Sequence, residues 1–130
     1  MSSPKRVLLI NDDDAVRIRT SRKLIEAGHM VTAVETGEEG VDLLPRLRPD
    51  LVLIDYNLKR DVGGNKTARD FIPRIRGVDS HVPIVVMSAT FDALTALELG
   101  VNRFVPLSLK GGFAPLVEVV NELLGEGVPA

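Results

Sequence analysis

The sequence predicts an α/β fold: a doubly wound, five-stranded parallel sheet with helices on both faces. Three observations carry this. Five short β-rich or apolar runs punctuate the chain, and segments of helical period alternate with them. The strongest runs are continuous rather than alternating, as strands buried on both faces require. Right-handed crossovers then leave the doubly wound sandwich as the natural solution. The 130 residues hold one domain of ordinary size. It is expected over residues 5–124, with 125–130 as a C-terminal tail or the start of a linker.

Val7-Leu8-Leu9-Ile10 is the first apolar run, and it stops abruptly at Asn11-Asp12-Asp13-Asp14. From Ala15 to Ala27, Val16, Ile18, Leu24 and Ile25 alternate with Arg17, Arg19, Arg22 and Lys23. That pattern predicts a helix with a basic, solvated outer face, capped by Asp14 and ended by Gly28. Met30 to Val34 is β-rich and reads as the second strand, and Glu38 to Leu47 as a helix with Pro45 in or near its last turn. Leu51-Val52-Leu53-Ile54 repeats the buried-strand signature and ends at Asp55. A polar loop containing Gly63-Gly64 leads to a helix over Lys66–Arg76, with Ala68, Phe71, Ile72 and Ile75 on one side. Pro83 to Met87 is the fourth strand, ending at Ser88. A helix over Phe91–Leu99 closes at Gly100, and Arg103-Phe104-Val105 forms the fifth strand. Phe113 to Leu124 is the last helix, with Leu116, Val119, Val120 and Leu123 as its apolar stripe.

Composition narrows the function. The chain has no cysteine, which excludes thiolate metal sites, disulfide scaffolds and cysteine nucleophiles. Sixteen Lys and Arg against eighteen Asp and Glu give a net charge of -2, so neither direct nucleic-acid binding nor a membrane partner is expected. Only four apolar residues follow the basic N-terminus, too few for a signal peptide or a membrane span, and a cytoplasmic protein is expected. No G-x-x-x-x-G-K-[ST] pattern exists, so Gly63-Gly64 and Gly111-Gly112 read as loop hinges rather than phosphate cradles.

In a doubly wound sheet ligands bind at the carboxyl ends of the strands, where the strand order reverses. Two strands end in aspartate, at Asp12 and Asp55, and paired carboxylates at adjacent buried strand ends repel unless a cation sits between them. Taken singly, other residues have ordinary readings. Ser88 is a strand-end hydroxyl, Phe104 a core aromatic, Asp13 and Asp14 helix-start acceptors, and His29 and His81 isolated turn residues without a role.

Taken together, Val7 to Asp13, Pro49 to Leu58, Val82 to Ala89 and Leu99 to Val105 resemble a response-regulator receiver domain over essentially the whole chain. The resemblance implies a signalling receiver in a two-component phosphorelay, not an enzyme beyond self-catalysed phosphoryl transfer and autodephosphorylation. A histidine kinase or phosphotransfer protein would phosphorylate Asp55 in the presence of Mg²⁺. The metal would be held by Asp12, Asp55 and the main-chain carbonyl of Asn57, with Asn11 in the outer shell. Ser88, Ala89 and Phe104 would sense the phosphoryl group. The switched surface would comprise the Phe91–Leu99 helix, the Arg103–Val105 strand and the Phe113–Leu124 helix, and it would also suit a homodimer.

Two positions depart from the family. Asn11 replaces the first of two acids, and Leu107, followed by Ser108, occupies the slot of the usual lysine and its proline. Losing both together keeps the site's formal charge at the usual value, whereas losing one would leave a buried charge unpaired. Lys59, Arg60 and Lys110 are the cations that could compensate. A phosphorylation-independent interaction module is the alternative. A small nucleotide- or flavin-binding domain is disfavoured by the acidic Asn11–Asp14 loop where a phosphate would sit.

Overall fold

Burial on both faces of the central strands explains the architecture. In the computed structural model, which describes residues 4–58, 66–88, 101–106 and 114–125, the elements run β1 (Arg6–Ile10), α1 (Asp14–Glu26), β2 (Met30–Val34), α2 (Gly37–Leu47) and β3 (Leu51–Asp55). They continue with β4 (Asn57–Leu58), β5 (Lys66–Thr67), α3 (Ala68–Val78), β6 (Ile84–Ser88), β7 (Arg103–Pro106) and α4 (Ala114–Leu124). The main sheet is parallel throughout, in the order β2-β1-β3-β6-β7. The predicted doubly wound fold is what forms.

Successive strand residues point to opposite faces. Leu8, Ile10, Val52, Ile54, Ile84 and Val86 pack with Leu44 of α2 and with Phe71, Ile72 and Ile75 of α3. Val7, Leu9, Leu51, Leu53, Val85 and Met87 pack with Leu24 of α1 and with Leu116 and Val120 of α4. Both faces of β1, β3 and β6 are therefore buried, which is why their sequences are apolar without alternation.

Close approach holds α2 in place. A Cβ at Gly37 would lie 2.5 Å from the Phe71 ring, and one at Gly40 would collide with the Ile10 side chain. Glu38 and Arg74 join α2 to α3 through two hydrogen bonds of 2.6 and 3.1 Å, and the Arg74 guanidinium holds the Glu38 carboxyl below its ordinary range. At the end of α1, Gly28 takes a φ of 97°, a left-handed conformation that glycine adopts without penalty.

Several expectations change. The cap of α1 is Asp13, not Asp14: its backbone is extended and its carboxylate accepts the Val16 N–H at 3.0 Å. Asp14 lies inside the first turn, where it pairs with Arg17 at 2.6 Å. Ile18 and Ile25 do not join the core; they are 56% and 57% exposed, because Thr20 and Leu24 mark the buried stripe. Asn57–Leu58, read as loop, and Lys66–Thr67, read as the start of a helix, instead pair as the ribbon β4–β5, with Asn57 opposite Thr67 and Leu58 opposite Lys66. Helix α3 accordingly starts at Ala68, behind a capping box of Thr67 and Asp70. His29 has a partner: its Nε2 lies 2.7 Å from Asn121 Oδ1 and ties the α1–β2 turn to α4. The expected helix over Phe91–Leu99, both glycine pairs, and Lys59, Arg60, Ala89, Leu107 and Lys110 lie outside the described residues.

Thr20 is fully buried in α1, and its Oγ1 has no hydrogen-bond partner among the described residues. A buried hydroxyl without a partner costs about 1–3 kcal/mol. Thr20→Val keeps the shape and removes that cost, so it is expected to raise the unfolding free energy by about 1 kcal/mol in urea titration. A destabilised variant would show that the hydroxyl is satisfied.

Candidate functional site

The strand order reverses between β1 and β3, which are neighbours while the chain runs outward from them in opposite directions. Their register pairs Ile10 with Ile54, so the chain leaves both strands at the same level, into Asn11-Asp12 on one side and Asp55 on the other. On its other edge β3 pairs Asp55 with Met87 of β6, and Ser88 is the next residue. The parallel topology thus gathers three loops at one sheet end, and the sequence places Asp12, Asp55 and Ser88 there.

Asp55 is half-buried, and its carboxyl is raised from an ordinary value of 3.8 to about 7. Burial is the main cause, the negative charge of Asp12 the second, and a smaller push comes from Asp13, against a hydrogen bond from the Tyr56 main chain that lowers it. Asp12 is therefore close enough for its charge to act on Asp55. Repulsion between these two carboxylates makes their surroundings attractive to a cation.

Asn11 is 1% exposed. Its Oδ1 accepts the Asp13 N–H at 2.8 Å, and its main-chain N–H donates to Val34 O at 3.1 Å. The Asn11 carbonyl accepts Arg17 Nη1 at 2.9 Å. Arg17 is not part of a solvated basic face, as its sequence neighbours suggested. Its side chain is 16% exposed and folds back onto the acidic loop, paired with Asp14 at 2.6 Å and Glu35 at 3.6 Å. The signal was the spacing: residue 17 lies one turn into the helix that residue 13 caps, so its long side chain reaches the loop before it.

Ser88 is fully buried, at the end of β6 and in register with Pro106 of β7. Asn57 is exposed in β4, two residues past Asp55. Phe104 is half-buried and packs against the α2–α3 core, with Val101 and Tyr56 nearby on the same cluster. Tyr56 follows Asp55, and its hydroxyl accepts Arg69 Nε at 3.1 Å. This link between β3 and the first turn of α3 has no sequence signal beyond an unremarkable arginine. Among the described residues no helix is long and apolar enough to cross a membrane.

Two carboxylates, one acting electrostatically on the other, are oxygen donors of the kind Mg²⁺ takes, few at a time, from a protein. The chemistry of the site and the fold agree with the comparisons. Residues 7–110 match the family described as response regulator receiver domain. The transcriptional regulatory protein AfsQ1 of Streptomyces coelicolor is 35% identical over 108 residues, covering 81% of this chain and 45% of that protein. The chain spans about half the length of the curated relatives it matches first. Among solved structures, the chemotaxis response regulator CheY4 of Vibrio cholerae superposes with a TM-score of 0.80 at 17% identity, covering 93% of this chain and 99% of that one. The response regulator TrrA of Thermotoga maritima, solved in complex with Mg²⁺-BeF, gives 0.76 at 23% identity, covering 92% and 98%.

Proposed function

This chain belongs to the response regulator receiver family, and from that premise we propose that Asp55 accepts a phosphoryl group from a histidine kinase or phosphotransfer protein of a two-component system. The observation that carries this is the Asp55 carboxyl, half-buried at the sheet's switch point with the Asp12 charge against it. An Asp55 oxygen attacks phosphorus, the bond from phosphorus to the donor breaks, and an acyl phosphate forms on β3. Attack needs the ionised carboxylate, which burial beside Asp12 disfavours until a cation is present.

The residues present fit Mg²⁺. Asp12, Asp55 and the Asn57 carbonyl would hold it, with Asn11 in the outer shell. When bound, the metal would neutralise the charge that accumulates during in-line transfer. Arg17, hydrogen-bonded to the Asn11 carbonyl, fixes the loop that carries Asp12. Ser88 is the hydroxyl beside the accepted phosphoryl group, and Ala89, the next residue in sequence, is the small residue of the family pattern. Phe104 is the residue through which this event reaches the output and homodimer surface that the family resemblance assigns. Lys59 and Arg60 begin directly after β4, whose pairing with β5 brings residues 58 and 66 together. A side chain from that segment, or Lys110, supplies the positive charge that Leu107 does not.

Acetyl phosphate with Mg²⁺ is expected to give one acid-stable, base-labile adduct on the wild type and none on Asp55→Asn, read by intact-mass spectrometry. Tyr56, the only tyrosine in a chain without tryptophan, reports metal and phosphoryl binding by fluorescence. No Mg²⁺ binding at millimolar metal overturns the proposal. The leucine at position 107 favours the second reading, a phosphorylation-independent interaction module, and a protein inert in both assays would promote it over the first.

A further inference from the structure

Both peptide groups that flank Asp12 are tied. The Asn11–Asp12 peptide is a planar unit, and its carbonyl accepts Arg17 Nη1 at 2.9 Å. The next peptide, Asp12–Asp13, donates its N–H to Asn11 Oδ1 at 2.8 Å. One residue earlier, the Asn11 N–H is held by Val34 O at 3.1 Å. Asp12 therefore hangs between two fixed planes, and the first of them is fixed by a side chain from α1 rather than by the loop itself. Arg17 is mostly buried there, with a second arm on Asp14 at 2.6 Å and an approach to Glu35 of 3.6 Å.

An arginine so close to a cation site would ordinarily repel the cation. Here its charge is met by two other carboxylates, those of Asp14 and Glu35, both more than half exposed. The charges that act on Asp55 are those of Asp12 and Asp13, both negative. The planar fork makes this division possible: Nη1 holds the carbonyl while Nη2 holds the carboxylates, two directions that a single ammonium cannot serve together. We infer that Arg17 is a positioning residue for the cation site: it orients Asp12 through the Asn11 carbonyl while Asp14 and Glu35 neutralise it, so that it shapes the site without competing for its charge. This role, which rests on the reading of Asp12 as a metal ligand, has an unusual sign. Removing a nearby positive charge ordinarily strengthens cation binding. Removing Arg17 is expected to weaken it, because the ligand loses its orientation.

Mg²⁺ titrations read by Tyr56 fluorescence distinguish the two signs. Arg17→Met keeps an apolar stem and removes the fork, and it is expected to bind Mg²⁺ about tenfold more weakly than the wild type. Arg17→Lys, the milder variant, keeps the charge without the fork and is expected to stay about threefold or more below the wild type. At saturating Mg²⁺ both are expected to reach the wild-type yield of acetyl-phosphate adduct, since Arg17 acts through Asp12 alone. In chelator, the Asp13 amide is expected to exchange about tenfold faster in Arg17→Met, the scale of one charge-assisted hydrogen bond lost from the loop, while the amides of β1 and β3 keep their protection. A wild type that binds no Mg²⁺ overturns the phosphoacceptor reading and this role with it. A wild type that binds, beside an Arg17→Met variant that binds equally well or more tightly, overturns only the role of Arg17. Full wild-type affinity in Arg17→Lys overturns the fork in favour of charge alone, and unchanged exchange at Asp13 overturns the tie.

Discussion

Asp55→Asn is expected to stabilise the metal-free protein by about 2 kcal/mol at pH 8 and by almost nothing at pH 4. The folded-state carboxyl is raised from 3.8 to about 7, so between those values the folded protein holds a proton that the unfolded chain releases. The unfolded state binds fewer protons, and stability falls as pH rises through that window. The contribution is intact below the ordinary carboxylate range and lost above pH 7. A rise of that size sets a ceiling of about 4 kcal/mol; partial solvent access to Asp55 brings the expected value nearer half of it. Asparagine cannot ionise, so the difference between the two proteins isolates this group from other titrating carboxylates. Urea titrations in chelator at both pH values measure it. Mg²⁺ is expected to close most of the gap by removing the repulsion between residues 12 and 55. Equal stabilities at pH 8 without metal would mean that Asp55 is not buried against Asp12.

A proposed catalytic carboxylate that weakens the apo fold is a familiar consequence of arranging like charges at a binding site. Here the same repulsion that raises Asp55 also prepares the site for a cation. Stability and chemistry are linked at one pair of strand ends.

What was legible in the sequence follows from which physical signals are local. The three central strands are buried on both faces, so Val7–Ile10, Leu51–Ile54 and Ile84–Met87 announce themselves by composition alone. Because parallel strands share a carboxyl end, Asp12 and Asp55 could be assigned to one site before any coordinates. The β4–β5 ribbon was not legible, since two paired residues on each side leave no periodicity to detect. Nor was the placement of the cap: Asp12, Asp13 and Asp14 are equivalent acceptors in sequence, and only the extended backbone at Asp13 distinguishes them. Ile18 and Ile25 read as core because hydrophobicity does not say which face of a helix is covered. Arg17 read as solvated because a cation's partners here come from three places: its own helix, the preceding loop and the turn after β2.

Asn11→Asp tests the proposal that this site works with one acid fewer than the receiver pattern it resembles. Asn11 is 1% exposed and accepts the Asp13 N–H through Oδ1 at 2.8 Å. Aspartate has nearly the same shape and can accept the same bond, so geometry survives the change and charge does not. A third carboxylate would then lie buried beside Asp12 and an already raised Asp55. In the absence of metal at pH 8 the variant is expected to lose about 3 kcal/mol of stability, the scale of an uncompensated buried charge. At pH 4 the loss should largely vanish as the carboxyls protonate. Leu107→Lys in the same chain is expected to return most of the loss, because the proposed pairing of the two substitutions makes the added cation the partner of the added anion. Urea titration of both single variants and the double variant gives the coupling directly, and about 2 kcal/mol is expected. Additive effects would break the link between positions 11 and 107, and Leu107 would then be a lone loss. Coupling of the expected sign would mean that the acid and the lysine left this site together, with its net charge preserved.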